Sequence, residues 1–329
     1  MIHPIPPGTR DILPDEMREL RRLHRDLIEV FEGRGYGEVA TPAIEYDDVL
    51  ARGDGRAASS AFRFFDERGD LLALRSDMTV PIARLVASRF ATAEPPLRLC
   101  YLANAFRAVR PQRGQMREFA QAGVELIGAP APQGTAEVVE VLEAALDAAG
   151  LERAVIGLGD ADLYRQLLAE LGVEGTDRDP ILERLAMHDL VGLEVELSQA
   201  GIGDDEVATC AALSQLRGGR EVLDEARELG GAAVERATAR LGETLEALEL
   251  RGAADRVRLD LGLLRDLGYY SGAILEVYDP ALGHVLGGGG RYDGLLKRFG
   301  LDLPAAGFAL YLERVHVAQM EESRRGEGE

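Results

Sequence analysis

Gln121, Gly123 and Glu125 fall on alternate positions of Glu118 to Ile127, a run with the composition of a β-strand. Side chains on a strand repeat every two residues, so these three share one face while Ala120, Ala122, Val124 and Leu126 share the other. An amide, a bare backbone and a carboxylate in a row make a poor core and a good pocket floor. The glycine would let a ligand approach the backbone, and the carboxylate would hold a cationic group such as an amine or imidazolium. The same alternation also fits a solvent-exposed sheet face.

Other residue types narrow the chemistry. Arg107, Arg265 and Arg314 each stand beside a strand or helix end, where guanidinium groups suit an anionic ligand such as a carboxylate or phosphate, or else surface ion pairs. Asp77 and Thr79 stand where a strand gives way to a helix, which fits either an N-cap pair or two oxygens for an amino group. Tyr269 and Tyr270 open a further strand signal. His3, His24, His188, His284 and His316 are scattered without HxxEH or HExxH spacing, so metal binding has no support. No GxSxG elbow occurs, and Cys100 and Cys210 lack a nearby histidine, which leaves nucleophilic catalysis unsupported. GLGDAD at 157–162 lacks the third glycine of a dinucleotide fingerprint, and Gly287 to Gly290 lack the Lys-Ser/Thr of a phosphate loop. Close backbone packing beside a pocket accounts better for the four glycines, and no cofactor is expected.

The elements that must carry these residues are readable in outline. Leu97 to Phe106 and Glu118 to Ile127, separated by an arginine-rich loop with Pro and Gly, predict a long antiparallel hairpin. Pro14 and Asp15 suit the first turn of a helix carrying Leu20, Leu23, Leu27 and Phe31, closed by Gly33 and Gly35. A short strand near Glu38 to Thr41 is demoted to an edge by Pro42, and helix plus edge strand form a self-association surface. A hairpin around Glu67 to Asp70 leads to the helix that begins at Asp77 and Thr79. Thr135 to Ala149 reads as a helix and Val155 to Gly159 as a buried strand. From Thr176 to Arg251 the composition shifts to Ala, Leu, Glu and Arg at helical spacing, which predicts a small inserted helical module. Strand signals return at Arg256 to Leu263, Tyr269 to Tyr278 and His284 to Leu286, and Ala305 to Val315 reads as a strand or turn running into a helix.

The 329 residues, 46% hydrophobic and 29% charged, suit a soluble globular protein of more than one domain. A net charge of -20 repels phosphate backbones and disfavours nucleic-acid partners. Lys297 is the only lysine, which excludes a catalytic lysine elsewhere. Two cysteines without a CxxC, no signal peptide and no long apolar run point to the cytoplasm and away from membranes.

In chain order, GTRDILP at Gly8, VATPAIE at Val39, FRAVRPQRGQMREFAQAGVELIG at Phe106, RDLGYYSG at Arg265, GGGRYDGLLKRFG at Gly288 and GFALYLERV at Gly307 resemble the catalytic core of class II aminoacyl-tRNA synthetases of the histidyl type. The resemblance implies an α+β fold, an antiparallel sheet flanked by helices. Its core would be residues 1–175 and 252–320, with 176–251 inserted, a charged tail at 321–329 and no anticodon-binding domain. It also implies a histidine pocket. Asp77 and Thr79 would meet the amino group, and Arg107, Gln121 and Arg265 the carboxylate. Glu125, Tyr269 and Tyr270 would line the imidazole end.

Two departures bear on catalysis. Val109 stands where those synthetases place a glutamate that reads adenine, and Gln115 where a phosphate-facing arginine is expected. Adenylation should be crippled. A histidyl-synthetase core so altered, with LRSDMT at Leu74, is similar to the regulatory subunits of ATP phosphoribosyltransferase. That family implies a self-dimer, a hetero-octamer with a short-form catalytic subunit, and histidine as feedback ligand. A free-standing ligase that activates histidine for a non-tRNA acceptor is the alternative.

Overall fold

Pro14 opens α1 (Pro14–Gly33), where its missing N–H is one the helix would leave unpaired anyway, and Leu20, Leu23, Leu27 and Phe31 give the helix one buried stripe. The structure, a computed structural model, describes residues 4–53, 60–109, 116–265, 268–280 and 282–326. After α1 come β1 (Gly37–Glu38), β2 (Ile44–Tyr46), α2 (Asp47–Gly53), β3 (Arg63–Phe65), β4 (Leu71–Leu74), α3 (Thr79–Arg89), β5 (Leu97–Phe106) and β6 (Glu118–Ile127). Then follow α4 (Gln133–Ala148), β7 (Val155–Asp160), α5 (Leu163–Glu170), α6 (Arg178–Ala186), α7 (Leu190–Gln199), α8 (Asp204–Leu213), β8 (Arg217–Gly218), α9 (Glu221–Leu229) and α10 (Ala232–Arg251). The chain closes with β9 (Val257–Asp260), β10 (Ala273–Tyr278), β11 (Val285–Arg291), β12 (Ala305–Tyr311) and α11 (Leu312–Gly326).

A nine-stranded sheet in the order β1-β5-β6-β12-β11-β10-β7-β9-β8 forms the centre, and β2-β4-β3 form a small sheet beside it. Pairing in the large sheet is antiparallel except at β1–β5 and β7–β9. The α+β expectation, an antiparallel sheet flanked by helices, is the observed architecture. Ala122, Val124, Leu126, Phe308 and Leu310 turn to one side and join a core built with α1, α4 and α10. The opposite side, with Tyr101, Ile127 and Ile274, meets Val80, Ile82 and Val86 of α3 and Tyr269, Tyr270 and Tyr292. No described helix is long and apolar enough to cross a membrane.

The hairpin pairs Leu97 with Ile127 and Phe106 with Glu118, as its two runs predict. Elsewhere the strands differ from the sequence reading. The edge strand near Pro42 is shorter than expected, β1 ending at Glu38. Arg75 instead holds the following segment, donating from Nη1 to the Thr41 carbonyl at 2.7 Å and from Nε to that of Asn104 at 2.7 Å. The strand expected at His284 to Leu286 runs from Val285 to Arg291 and takes in all four glycines. A Cβ on Gly287 or Gly289 would strike the backbone of β12, so the tetraglycine is sheet backbone at close approach. The segment 176–251 is helical except for β8, whose Arg217 pairs with Asp260 of β9. Its last helix, α10, is clamped to the sheet by Arg240, which donates to both Asp160 oxygens at 2.8 and 2.9 Å.

Gly123 lies in the middle of this arrangement. A Cβ there would meet the Phe308 carbonyl on β12 and the Tyr101 hydroxyl. Neither neighbour has room to retreat within a paired sheet. Gly123→Ala should therefore lower the unfolding free energy by about 3 kcal/mol in urea denaturation, and a loss under about 0.5 kcal/mol would show that the sheet relaxes freely there.

Candidate functional site

The register assembles the pocket floor row by row. Tyr101, Gly123, Ala309 and Gly288 form one row across β5, β6, β12 and β11. Leu99, Glu125, Gly307 and Gly290 form the next, and Ala103, Gln121 and Tyr311 the one beyond it. Small residues thus alternate with large ones, and the large ones lean into the gaps. The hydroxyl of Tyr101 takes the side-chain space of Gly123, Glu125 that of Gly307, and the Arg265 guanidinium that of Gly288. The sequence reading assigned the space over Gly123 to a ligand, but Tyr101 fills it.

Asp77, Thr79, Arg107, Gln121, Arg265, Tyr269 and Tyr270 all line one cavity, brought together from four separate stretches of chain. Its volume is about 20 Å3, room for about one water. Gln121 is 3% exposed and, among the described residues, its Oε1 has no donor. A buried carbonyl left unpaired is a place for a ligand N–H. Asp77 accepts the Val80 N–H at 3.1 Å, as a helix cap does, although the N-cap position itself belongs to Met78. Thr79 has a different role from capping. Its hydroxyl donates to Glu125 Oε1 at 2.8 Å.

Glu125, the eighth expected residue, shares the face of the floor but does not line the cavity. It is 1% exposed and also accepts the Tyr292 hydroxyl. Burial pushes its carboxyl up to about 8, against the hydrogen bonds from Tyr292 and Thr79, and the charge of Asp77 adds to the rise. The rise favours the protonated carboxyl, and a cation beside it would favour the ionised form.

The arginines meet at a residue the sequence reading passed over. Arg107 hydrogen-bonds the Tyr311 phenol, Arg314 lies 4.8 Å from its ring centre, and Arg265 lines the same cavity. Burial alone would push the phenol up, but Arg107, Arg265 and Arg314 together pull it down to about 8. Tyr101, Tyr292 and Tyr311 are all pocket residues missed from sequence. Tyr311 was within reach, since it shares strand parity with Gly307 and Ala309. Val109 does not line the cavity, and its carbonyl accepts from Arg117 Nε at 2.9 Å. Gln115 lies outside the described residues. Among the described residues no cluster of His, Cys, Asp and Glu could hold a metal ion.

The Glu125 shift has a sign that can be checked. Between its ordinary 4.5 and about 8 the folded state keeps a proton that the unfolded chain has released. The stability linked to this proton is complete below the lower value and is lost as pH rises through the upper one. Urea unfolding between about pH 5 and 9 should show wild-type stability falling more steeply than that of Glu125→Gln. Parallel pH profiles would contradict the buried, protonated carboxyl.

Comparison with known proteins agrees with this geometry along nearly the whole chain. The family model for histidyl-tRNA synthetase matches residues 8–315. An ATP phosphoribosyltransferase regulatory subunit from Moorella thermoacetica is 42% identical over 319 residues, covering 96% of this chain and 82% of the relative. A crystal structure described as an ATP phosphoribosyltransferase regulatory subunit/histidyl-tRNA synthetase from Bacillus halodurans superposes with a TM-score of 0.86 at 33% identity, covering 97% of this chain and 84% of that one. A histidine–tRNA ligase subunit from Alicyclobacillus acidocaldarius gives 0.84 at 31% identity, covering 98% and 99%. With its sheet, its pocket rows and these similarities in agreement, the chain belongs to the family of ATP phosphoribosyltransferase regulatory subunits, on a histidyl-tRNA synthetase-like core.

Proposed function

We propose that this chain is a non-catalytic regulatory subunit of ATP phosphoribosyltransferase, acting in the cytoplasm at the first step of histidine biosynthesis. It would pair with a short-form catalytic subunit, be required for that subunit's activity, and convey inhibition by histidine. The observation that carries the ligand assignment is the buried Gln121 carbonyl, without a donor among the described residues, in the cavity that Asp77 also lines. Asp77 and Thr79 would receive the amino group, Arg107 and Arg265 the carboxylate. Tyr269 and Tyr270 would flank the imidazole, with Glu125 as its acidic partner.

Cavity size links the pocket to regulation. A space for one water admits an amino acid only when its walls move apart. Occupancy would then favour whichever quaternary arrangement holds the walls open. Self-association belongs to the same reading. Ile44, Tyr46 and Phe64 stand exposed on one face of the small sheet, an apolar surface suited to a second copy. The division into a core of 1–175 and 252–320, an inserted 176–251 and a tail of 321–329, and the hetero-octamer, complete the proposal.

A second reading, a ligase activating histidine for a non-tRNA acceptor, draws on Arg107, Arg265 and Arg314 and on the name of the Alicyclobacillus relative. Val109 weighs against it, because valine cannot accept a hydrogen bond from an adenine amino group. Calorimetry should find saturable histidine binding, at least about tenfold weaker in Gln121→Ala. Unchanged affinity would refute the pocket assignment. Co-expression should recover a histidine-inhibited phosphoribosyltransferase with the chain, whereas histidine-dependent pyrophosphate exchange by the chain alone would favour the ligase.

A further inference from the structure

Ala273, Leu275 and Val277 of β10 face the core shared with α1, α4 and α10, so Glu276 faces the pocket side of the sheet together with Ile274. Its register partners there are two glycines, Gly288 on β11 and Gly157 on β7. The two gaps differ. The Arg265 guanidinium takes the space over Gly288, whereas a Cβ on Gly157 would find no atom nearer than 3.6 Å. Glu276 therefore has Arg265 on one side and room to lean on the other. Its hold on Arg265 is loose, at 3.7 Å, and among the described residues its carboxylate accepts no hydrogen bond. A half-buried carboxylate so poorly satisfied gains from any cation it can approach.

Beyond Gly157 stand cations of the inserted helical segment. Gly157 pairs with Arg258 of β9, which turns back to the Asp255 and Val257 carbonyls at 3.0 and 2.7 Å. Asp260, two residues along the same face, pairs with Arg217 of β8. Arg217 Nε lies 2.9 Å from Asp260 Oδ2, and its Nη2 lies 3.3 Å from Nδ1 of His188, in the turn between α6 and α7. Asp260 also accepts the Gly262 N–H at 2.9 Å, so the same cluster fixes the start of the short link that carries Arg265. Burial pushes the Glu276 carboxyl up and Asp260 adds to the rise, while Arg265, His188 and Arg217 pull it down. The carboxylate thus feels the cations on both sides.

We propose that Glu276 is a two-position switch between the pocket and the inserted helical segment, leaning on Arg265 while Arg265 is free and crossing toward Arg217 and His188 when a ligand engages Arg265. The switch rests on the histidine reading for its ligand only. Its basis is competition for one guanidinium: an anion on Arg265 repels Glu276, and the open gap over Gly157 leads the carboxylate to the next cations. Both ends then bias one two-state element. The helical segment, drawn more tightly onto β9, reports the occupancy of a cavity that none of its residues lines.

Hydrogen exchange at the β8–β9 seam, read by mass spectrometry on peptides covering 214–220 of the full-length chain, tests the switch without any ligand. Arg265→Gln removes the pocket-side partner, so exchange there should slow at least about threefold relative to wild type, and the slowing should vanish when Glu276→Gln is added. Unchanged exchange in Arg265→Gln, or slowing that survives the loss of Glu276, would overturn the switch. Saturating histidine should slow the same peptides in the wild type, whereas Glu276→Gln should bind histidine by calorimetry and show no slowing. Binding without slowing in the wild type would count against the switch and leave the histidine assignment standing. Absence of binding would count against the assignment, and the ligand-free comparison would still decide the switch. Should Arg265→Gln fail to fold, wild type and Glu276→Gln with and without histidine carry the comparison.

Discussion

Three absent side chains govern the site. Gly123, Gly307 and Gly288 lie on neighbouring strands, and each leaves a space into which Tyr101, Glu125 or Arg265 projects. An ordinary sheet face would carry a side chain at each of those positions and would present a flat, filled layer. Here the polar groups sink into the sheet. The pocket is therefore bounded by backbone and by side chains seated in the gaps of neighbouring strands.

Sinking polar groups into a sheet has an electrostatic consequence. Glu125 is deprived of water and resists ionisation, and two hydroxyl donors, Thr79 and Tyr292, only partly compensate. A few ångströms along β12 the balance is reversed, with Tyr311 drawn toward its anionic form by three cations. One end of the site is thus short of positive charge and the other has an excess of it. The proposed histidine ligand, with a cationic ring and a carboxylate, would complement both ends.

The chemistry that a synthetase core would need is weak on the same hairpin. The Val109 side chain offers a purine no acceptor, and on β12 the Tyr311 side chain stands against Arg107 and Arg314. Family membership places the chain among regulatory subunits on a synthetase-like core. Ile44, Tyr46 and Phe64 form an exposed apolar face of the small sheet, and Arg240 ties α10 to the large sheet through Asp160, and none of these residues lines the cavity.

The sequence by itself determined the long hairpin, the parity that put Gln121 and Glu125 on one face, the buried stripe of α1 and the helices of 176–251. These features repeat over two or four residues, so they are legible wherever the chain is read locally. It also brought out the eight pocket candidates, although their joint placement rested on a family resemblance, since Asp77 and Arg265 share no local pattern. Only the tertiary structure decided that Gly123 yields its space to Tyr101, that the four glycines are strand and not loop, and that Glu125 is bonded to Thr79 and Tyr292 and does not line the cavity. It alone identified Tyr292 and Tyr311. The reason is physical: these outcomes depend on which backbones lie side by side, and strands distant in sequence, such as β6 and β12, meet through hydrogen bonds that no local periodicity encodes.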